Sequence, residues 1–164
     1  MGIKYHHLLQ KNADFGSQME LNYRVAALSN TTINQCKEII EYSLRCEGVG
    51  AVVEVGEYDN IIQDSERFSS YDCVIIFWEA ANLVEDLPFR FYEFDQAGRV
   101  DLVTHVKNQI KFAFEKLKST KLVLFNRFSA APFTLGSRKK NELDLMCDQL
   151  NDYVARHAPS CVRQ

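Results

Sequence analysis

The six residues at 73–78 (CVIIFW) form the longest wholly apolar run in the chain. The run is continuous rather than alternating, which is typical of a strand buried on both faces in the middle of a parallel sheet. Parallel strands must be joined by crossover connections that are usually helical, so we expect strands and helices to alternate along the chain. The run is far shorter than the roughly 20 apolar residues that a membrane span requires.

The rest of the hydrophobic pattern shows this alternation. Strands are predicted at 23–28, 50–55, 73–78 and 121–125. Helices are predicted from residue 33 to Gly48, at 97–117 and at 141–155, with a short helix or turn at 59–68 and a small helix at 5–9. Thr32 and Gln35 predict a capping box for the first long helix. These elements predict an α/β fold, a three-layer α/β/α sandwich with a flavodoxin-like, doubly wound parallel sheet.

The end of the chain leaves two alternatives. The sequence stops a few residues after the last predicted helix, where a sandwich of this kind would normally supply one more strand. Either that helix closes the edge of the sheet or the chain is a fragment, and we favour the fragment. We therefore expect residues 1–164 to be one domain with a helical extension at 1–20, the amino-terminal part of a longer protein without its last strand.

Composition narrows the class of protein. Nineteen basic and 22 acidic side chains give a net charge of −3, so the chain lacks the excess of basic residues that a broad nucleic-acid-binding surface needs. Five widely spaced cysteines without a C-x-x-C pair indicate reduced thiols, and no signal peptide is seen, so we expect a cytoplasmic protein without membrane contact. No histidine, cysteine or acidic cluster has metal-ligand spacing, and no G-x-G-x-x-G follows the first strand, so we expect no metal and no cofactor.

Candidate site residues follow the predicted strands, because ligands of open α/β sheets bind beyond the carboxyl ends of the strands. Ser29 is the candidate nucleophile, and Asn82 and Gly56 are candidate oxyanion donors. The candidate substrate-binding residues are Asn30, Thr31, Thr32, Glu79, Asn126 and Arg127. The alternative interpretation is structural: a polar loop with a helix cap after the first strand, and turn residues at 56 and 82.

The segment DCVIIFWEAANL at 72–83 resembles the asparagine-containing block of SGNH-type hydrolases. Ser29, Gly56 and Asn82 would supply three of the four residues after which the SGNH hydrolases are named, in the expected order along the chain. The resemblance therefore implies an SGNH-like sheet. The sequence departs from the pattern in three places: Leu28 replaces an aspartate, Ala80 replaces a glycine, and the catalytic Asp-x-x-His block is absent. A serine without its general base is a poor nucleophile, so we expect this chain alone to be a weak hydrolase or none.

The whole chain is also similar to the amino-terminal domain of FkbH-like proteins. The segments that carry this resemblance are YHHLLQKN at 5–12, RVAALSNTTI at 24–33 and LVLFNRFS at 122–129. In that family the domain precedes a haloacid-dehalogenase-type phosphatase domain, and the full proteins load a glyceryl unit from a bisphosphoglycerate onto an acyl carrier protein in polyketide or surface-polysaccharide biosynthesis. The resemblance implies a small acyl or glyceryl substrate, an acyl carrier protein or the phosphatase domain as partner, and ester or thioester hydrolysis in the full-length protein as one activity. The phosphatase's own aspartate motif is absent from this chain.

Two other functions stay open. Residues 29–32 could form a phosphate- or flavin-type anion site at a helix amino terminus, as in a flavodoxin. Alternatively, the domain could be a non-catalytic interaction module with the acidic, aromatic segment 79–95 as its contact. That segment could also be a lid or acyl-binding wall, or simply tuck its aromatic rings onto the core. Arg138, Lys139 and Lys140 could contact an acidic carrier or form a solvated cluster.

Overall fold

A five-stranded sheet forms the centre of the structure, a computed structural model that describes residues 4–130 and 141–164. All strand pairs are parallel, and the order across the sheet is β2-β1-β3-β4-β5. The strands are β1 (Tyr23–Ser29), β2 (Ala51–Val55), β3 (Cys73–Phe77), β4 (Leu122–Phe125) and β5 (Val162–Arg163). The central position of β3 matches its continuous hydrophobicity.

Helices cover both faces of the sheet, which confirms the predicted three-layer α/β/α sandwich. They are α1 (Tyr5–Gln18), α2 (Cys36–Cys46), α3 (Ile61–Arg67), α4 (Leu87–Arg90), α5 (Gln96–Leu117) and α6 (Glu142–His157). Two short 3-10 helices, Ala80–Asn82 and Phe91–Glu93, lie on either side of α4. None of the helices in the described ranges is both long and apolar enough to cross a membrane.

Each face of β3 packs into a different apolar cluster. Val74 and Ile76 are fully buried in the cluster that includes α5 and α6 residues such as Ile110 and Leu150. Cys73 belongs to the cluster on the opposite face, where the helix α2 packs. Because helices cover both faces of the sheet, the side chains on each face of β3 must be apolar. This is why polar and apolar residues do not alternate along the run.

The capping box predicted at Thr32 and Gln35 is wrong. Gln35 is itself the N-cap of α2, and no side chain caps that end of the helix. Instead, the N–H of Cys36 donates to the carbonyl of Ile33 at 2.8 Å, so a turn leads into the helix. Thr32 is exposed and lies four residues before α2, so it is not at the helix terminus where the anion-site alternative requires it.

The sheet also has a fifth strand, where the sequence predicts that the last strand is missing. The chain does not stop before a fifth strand, because Val162 and Arg163 form β5 and pair in parallel with Val123 and Leu124 of β4. Two residues, of which one is apolar, are too short for a periodicity signal. Helix α1 is likewise longer than the predicted segment 5–9, with 14 residues.

Candidate functional site

The order of the sheet brings the predicted site residues to one edge. Strands β2, β1, β3 and β4 are consecutive neighbours and all run in the same direction. The segments that follow their carboxyl ends therefore meet at a common rim. Ser29 ends β1, and the other candidates stand one to five residues beyond a strand end.

Ser29 is held by the backbone. Its side chain is buried, with 4% of the residue exposed. Its hydroxyl donates to the carbonyl of Phe77 at 2.9 Å and accepts a hydrogen bond from the N–H of Thr31 at 2.9 Å. In this arrangement the hydroxyl proton joins the end of β1 to the end of β3, and the hydroxyl oxygen shapes the turn that follows.

Two predicted substrate-binding asparagines extend the sheet beyond the end of β3. The side-chain amide of Asn30 donates to the carbonyl of Glu79 at 3.0 Å, and its oxygen accepts from the N–H of Glu79 at 2.7 Å. Asn126 pairs in the same two-way manner with the backbone of Trp78, at 2.6 and 3.1 Å. A carboxamide has the donor and acceptor of a peptide group, so each asparagine continues the ladder by one step.

The candidate oxyanion donors are also engaged. The exposed Asn82 donates its side-chain amide to the carbonyl of Asn30 at 2.9 Å, so it reaches the residue next to Ser29 rather than the serine hydroxyl. The N–H of Gly56 donates to the carbonyl of Ala27 at 2.9 Å. Ser29, Asn82 and Gly56 therefore share one rim, and each has a backbone partner there.

A buried carboxylate that the sequence pattern does not predict explains why residue 56 is a glycine. Asp64 in α3 is 2% exposed, and its Oδ2 accepts from the N–H of Glu57 at 2.8 Å. A Cβ at position 56 would lie 2.4 Å from that oxygen and 2.9 Å from Leu28 Cδ2. The only sequence signal was an acidic residue in the first turn of a short helix, which is usually solvated.

Two clefts open at this rim, and the segment 57–60 contributes a lining residue to each. The smaller, of about 70 Å³, is lined by Ser29, Thr31, Thr32, Ile33, Asn34, Val55, Gly56 and Tyr58. The larger, of about 180 Å³, is here called the amide cleft, and its lining residues are Asp59, Ile61, Ile62, Gln63, Trp78, Asn82, Leu83 and Gln109. No cationic side chain of the described residues lines either cleft. Gln63 and Gln109 had no sequence signal, because single glutamines on helices are common.

The remaining predicted residues differ in exposure. Thr31 is half-buried, and Arg127 is exposed at the end of β4. Glu79 is half-buried and lies close enough to Cys147 of α6 to influence it. Burial, together with the carboxylates of Asp144, Asp148 and Glu79, raises the pKa of the Cys147 thiol to about 12.

No histidine of the described residues lines either cleft, so Ser29 has no imidazole base there. The four histidines are exposed on helices: His6 and His7 on α1, His105 on α5 and His157 on α6. Within the described part of the chain, one histidine ring nitrogen has a hydrogen-bonding contact, that of His157 with the carbonyl of Tyr153. In the described ranges, no group of three or more histidine, cysteine, aspartate or glutamate residues could hold a metal ion.

The acidic, aromatic segment 79–95 divides its side chains between the core and the surface. Leu87 and Phe91 are buried, whereas Phe89 and Tyr92 are 77% and 54% exposed. The segment also starts α5, because the side chain of Asp95 accepts from the N–H of Gly98 at the helix N-terminus. Leu87 and Phe91 thus pack onto the core as one alternative predicts, whereas the lid or acyl-binding wall stays a prediction. The basic cluster at 138–140 lies outside the described residues.

Comparisons with known proteins give a likeness in fold. No family model matches the sequence, and no curated protein matches it. The crystal structure of the N-terminal part of the protein BF1531 from Bacteroides fragilis, which contains a phosphatase domain complexed with Mg, is similar with a TM-score of 0.68 and 14% sequence identity. The match covers 94% of this chain and 42% of that chain, so this chain spans less than half of the neighbour's length. At this identity the likeness shows the α/β/α architecture.

Proposed function

We propose that the chain is the substrate-engaging α/β module of an FkbH-like biosynthetic protein, working beside a phosphatase domain. In this role it holds a small, uncharged, hydroxyl-bearing acyl or glyceryl unit in the amide cleft and does not hydrolyse it. The amide cleft is the observation that carries the proposal. It lies at the carboxyl edge of the sheet, where ligands of this fold class bind.

The lining of the amide cleft favours hydroxyl groups over phosphates. Gln63, Asn82 and Gln109 supply amide donors and acceptors, and Asp59 supplies a carboxylate. Such groups pair well with alcohols and esters. A phosphate would meet Asp59 without a cation from the described lining, so the anion-binding alternative is less favoured. The volume of about 180 Å³ suits a unit of a few heavy atoms rather than a drug-sized ligand.

The geometry of Ser29 supports binding without catalysis. A serine nucleophile needs a base that takes its proton, and here the proton is donated to the carbonyl of Phe77. The fold likeness to part of a phosphatase-containing protein supports the second half of the proposal, that a phosphatase domain supplies the chemistry.

Chemical-shift mapping on the isotope-labelled chain tests the proposal. We expect methyl glycerate to shift the amide signals of Gln63, Asn82 and Gln109, and methyl propionate, which lacks the hydroxyls, to shift them far less. Gln109→Ala should weaken methyl glycerate binding roughly fivefold, the worth of about one hydrogen bond. Gln18→Ala, an exposed glutamine at the end of α1, is the matched control.

Three outcomes would contradict the proposal. Equal shifts from both esters would mean that the hydroxyls are not recognised. Tighter binding of 3-phosphoglycerate would favour an anion site instead. A covalent adduct on Ser29 after treatment with a fluorophosphonate, located by mass spectrometry, would show that the serine is an activated nucleophile and that the domain is catalytic.

A further inference from the structure

A groove with a basic rim lies on the outer surface of α5 and α6. Two cavities, of about 280 and 290 Å³, adjoin there and share Tyr153 and His157. The two rings stack with centroids 4.2 Å apart. Phe114 and Pro159 add apolar surface to the first cavity. These two cavities are here called the α5–α6 groove.

The α5–α6 groove and the amide cleft lie on different sides of α5 and share no lining residue. Each of its helices leads from the carboxyl end of one strand to the amino end of the next, and the groove lies along their carboxyl-terminal halves. An occupant of the groove would therefore leave the carboxyl rim of the sheet open.

The groove is positively charged on a molecule with a net charge of −3. Four cations line it: Lys107, Lys111, Lys118 and Arg156. Two carboxylates line it as well, and each is the partner of a cation one helical turn away: Glu115 with Lys111 at 3.9 Å and Asp152 with Arg156 at 3.8 Å.

Among the described residues, two of the four cations have no acidic partner. Lys107 places its Nζ 5.7 Å from the centroid of the Tyr153 ring. Within residues 4–130 and 141–164, no carboxylate lies within 4 Å of Lys107 or Lys118. Both lysines are thus able to form an ion pair with a binding partner without breaking an existing one.

We propose that the α5–α6 groove docks an acidic amphipathic helix of a partner protein. The first cavity, with Phe114 and Pro159 in its lining, matches apolar anchors on one face of a helix, which is how helices bind in grooves. The mostly polar second cavity, beyond the Tyr153–His157 stack, matches charged side chains of the same helix. Acidic residues beside those anchors would meet Lys107 and Lys118. The two resident carboxylates and the apolar floor favour such a helix over a nucleic acid, which would present charge to the whole surface.

A pair of synthetic peptides tests the proposal on the full chain. The first is a helix of about 15 residues with leucines at positions i, i+3, i+4 and i+7 and glutamates on the flanks of that face. The second has the same composition in an order that spreads the leucines around the helix. We expect the first peptide to shift amide signals in 107–118 and 149–159, to bind at least about tenfold more tightly than the second, and to weaken as salt rises.

Charge reversal then locates the contact. The double variant Lys107→Glu and Lys118→Glu should bind the amphipathic peptide about tenfold more weakly. Combined Lys11→Glu and Lys37→Glu, which changes the net charge equally on α1 and α2, should leave the affinity unchanged. Circular dichroism of both variants keeps folding defects apart from lost binding.

Several results would overturn the proposal. Equal affinity for the two peptides, signals shifted elsewhere, or an unaffected Lys107→Glu and Lys118→Glu variant would each rule out a helix-docking groove. Tighter binding of a short DNA duplex than of the peptide would make the surface a polyanion site. Concentration-dependent dimerisation that is lost in the Lys107→Glu and Lys118→Glu variant, seen by light scattering, would identify a second copy of the chain as the occupant.

Discussion

Cysteine chemistry in this protein is decided by burial at single residues. Cys147 is 3% exposed, and burial with the carboxylates of Asp144, Asp148 and Glu79 raises the pKa of its thiol to about 12. Burial and the charge of Asp72 raise the pKa of the Cys73 thiol to about 11. Cys46 is free and exposed at the end of α2. Since the thiolate is the reactive form, these residues should differ sharply in reactivity.

Alkylation of the native protein should therefore be selective. At about pH 8, which lies below both raised pKa values, Cys73 and Cys147 are protonated and inaccessible, and we expect iodoacetamide to modify Cys46 much faster. Peptide mass spectrometry of samples taken over time gives the alkylation rates of Cys46, Cys73 and Cys147. Unfolding in urea lowers both pKa values towards those of free cysteine and should make the rates similar. Native modification of Cys147 at the rate of Cys46 would show that α6 opens or that the thiol is not buried.

At the scale of elements, the connection between β2 and α3 depends on Gly56. Because a Cβ there would lie 2.4 Å from Asp64 Oδ2, Gly56→Ala should displace Asp64, break its hydrogen bond to Glu57 and lower the free energy of unfolding by about 2 kcal/mol. Urea denaturation measures this cost. The same substitution should cost about 1 kcal/mol less in an Asp64→Ala background, where the obstructing oxygen is gone. Additive effects would mean that the contact with Leu28, rather than Asp64, determines the cost.

The strands and long helices could be predicted because each repeats one pattern over several residues. Strand β3 is one example, since five consecutive apolar residues, three of them buried and two half-buried, carry a strong signal. The elements that depend on single contacts could not be predicted. Helix α2 begins after an uncapped turn, and β5 has two residues that are strand only because β4 lies beside them. A local pattern does not contain that long-range information.

The candidate site was predictable in position but not in role. The rule for open sheets correctly placed residues such as Ser29, Asn30 and Asn126 at one rim. It did not show that these polar groups bond to backbone across strands about 48 residues away in sequence. The glutamines of the amide cleft come from α3 and α5, so only the packing of helices against the sheet brings them together.

For the whole molecule, a buried polar network blocks the open edge of the sheet at β2. Arg45 of α2 donates to the carbonyl of Ala51 at 2.8 and 3.1 Å, and Glu41 accepts from the N–H of Val53 at 2.9 Å. Asn12 of α1 bonds to both side chains. An edge strand with unpaired backbone groups is a template for pairing with another chain, and here side chains occupy those groups. The helical extension is therefore tied to the edge that it helps to protect.

This arrangement predicts that the edge strand β2 and the helical extension α1 lose their structure together. Arg45→Met keeps the length of the side chain but leaves the Ala51 carbonyl and Asn12 without their donor and Glu41 without its cation, so we expect a loss of about 3 kcal/mol in the free energy of unfolding. Arg156→Met is the matched control, because Arg156 also pairs with an acidic residue one turn earlier but is 75% exposed, and it should change stability by less than about 0.5 kcal/mol. Urea midpoints compare the two variants, and hydrogen exchange should show faster exchange in α1 and β2 for Arg45→Met alone. Equal midpoints would mean that the network is solvated and that the apolar contacts of α2 are sufficient to hold the edge.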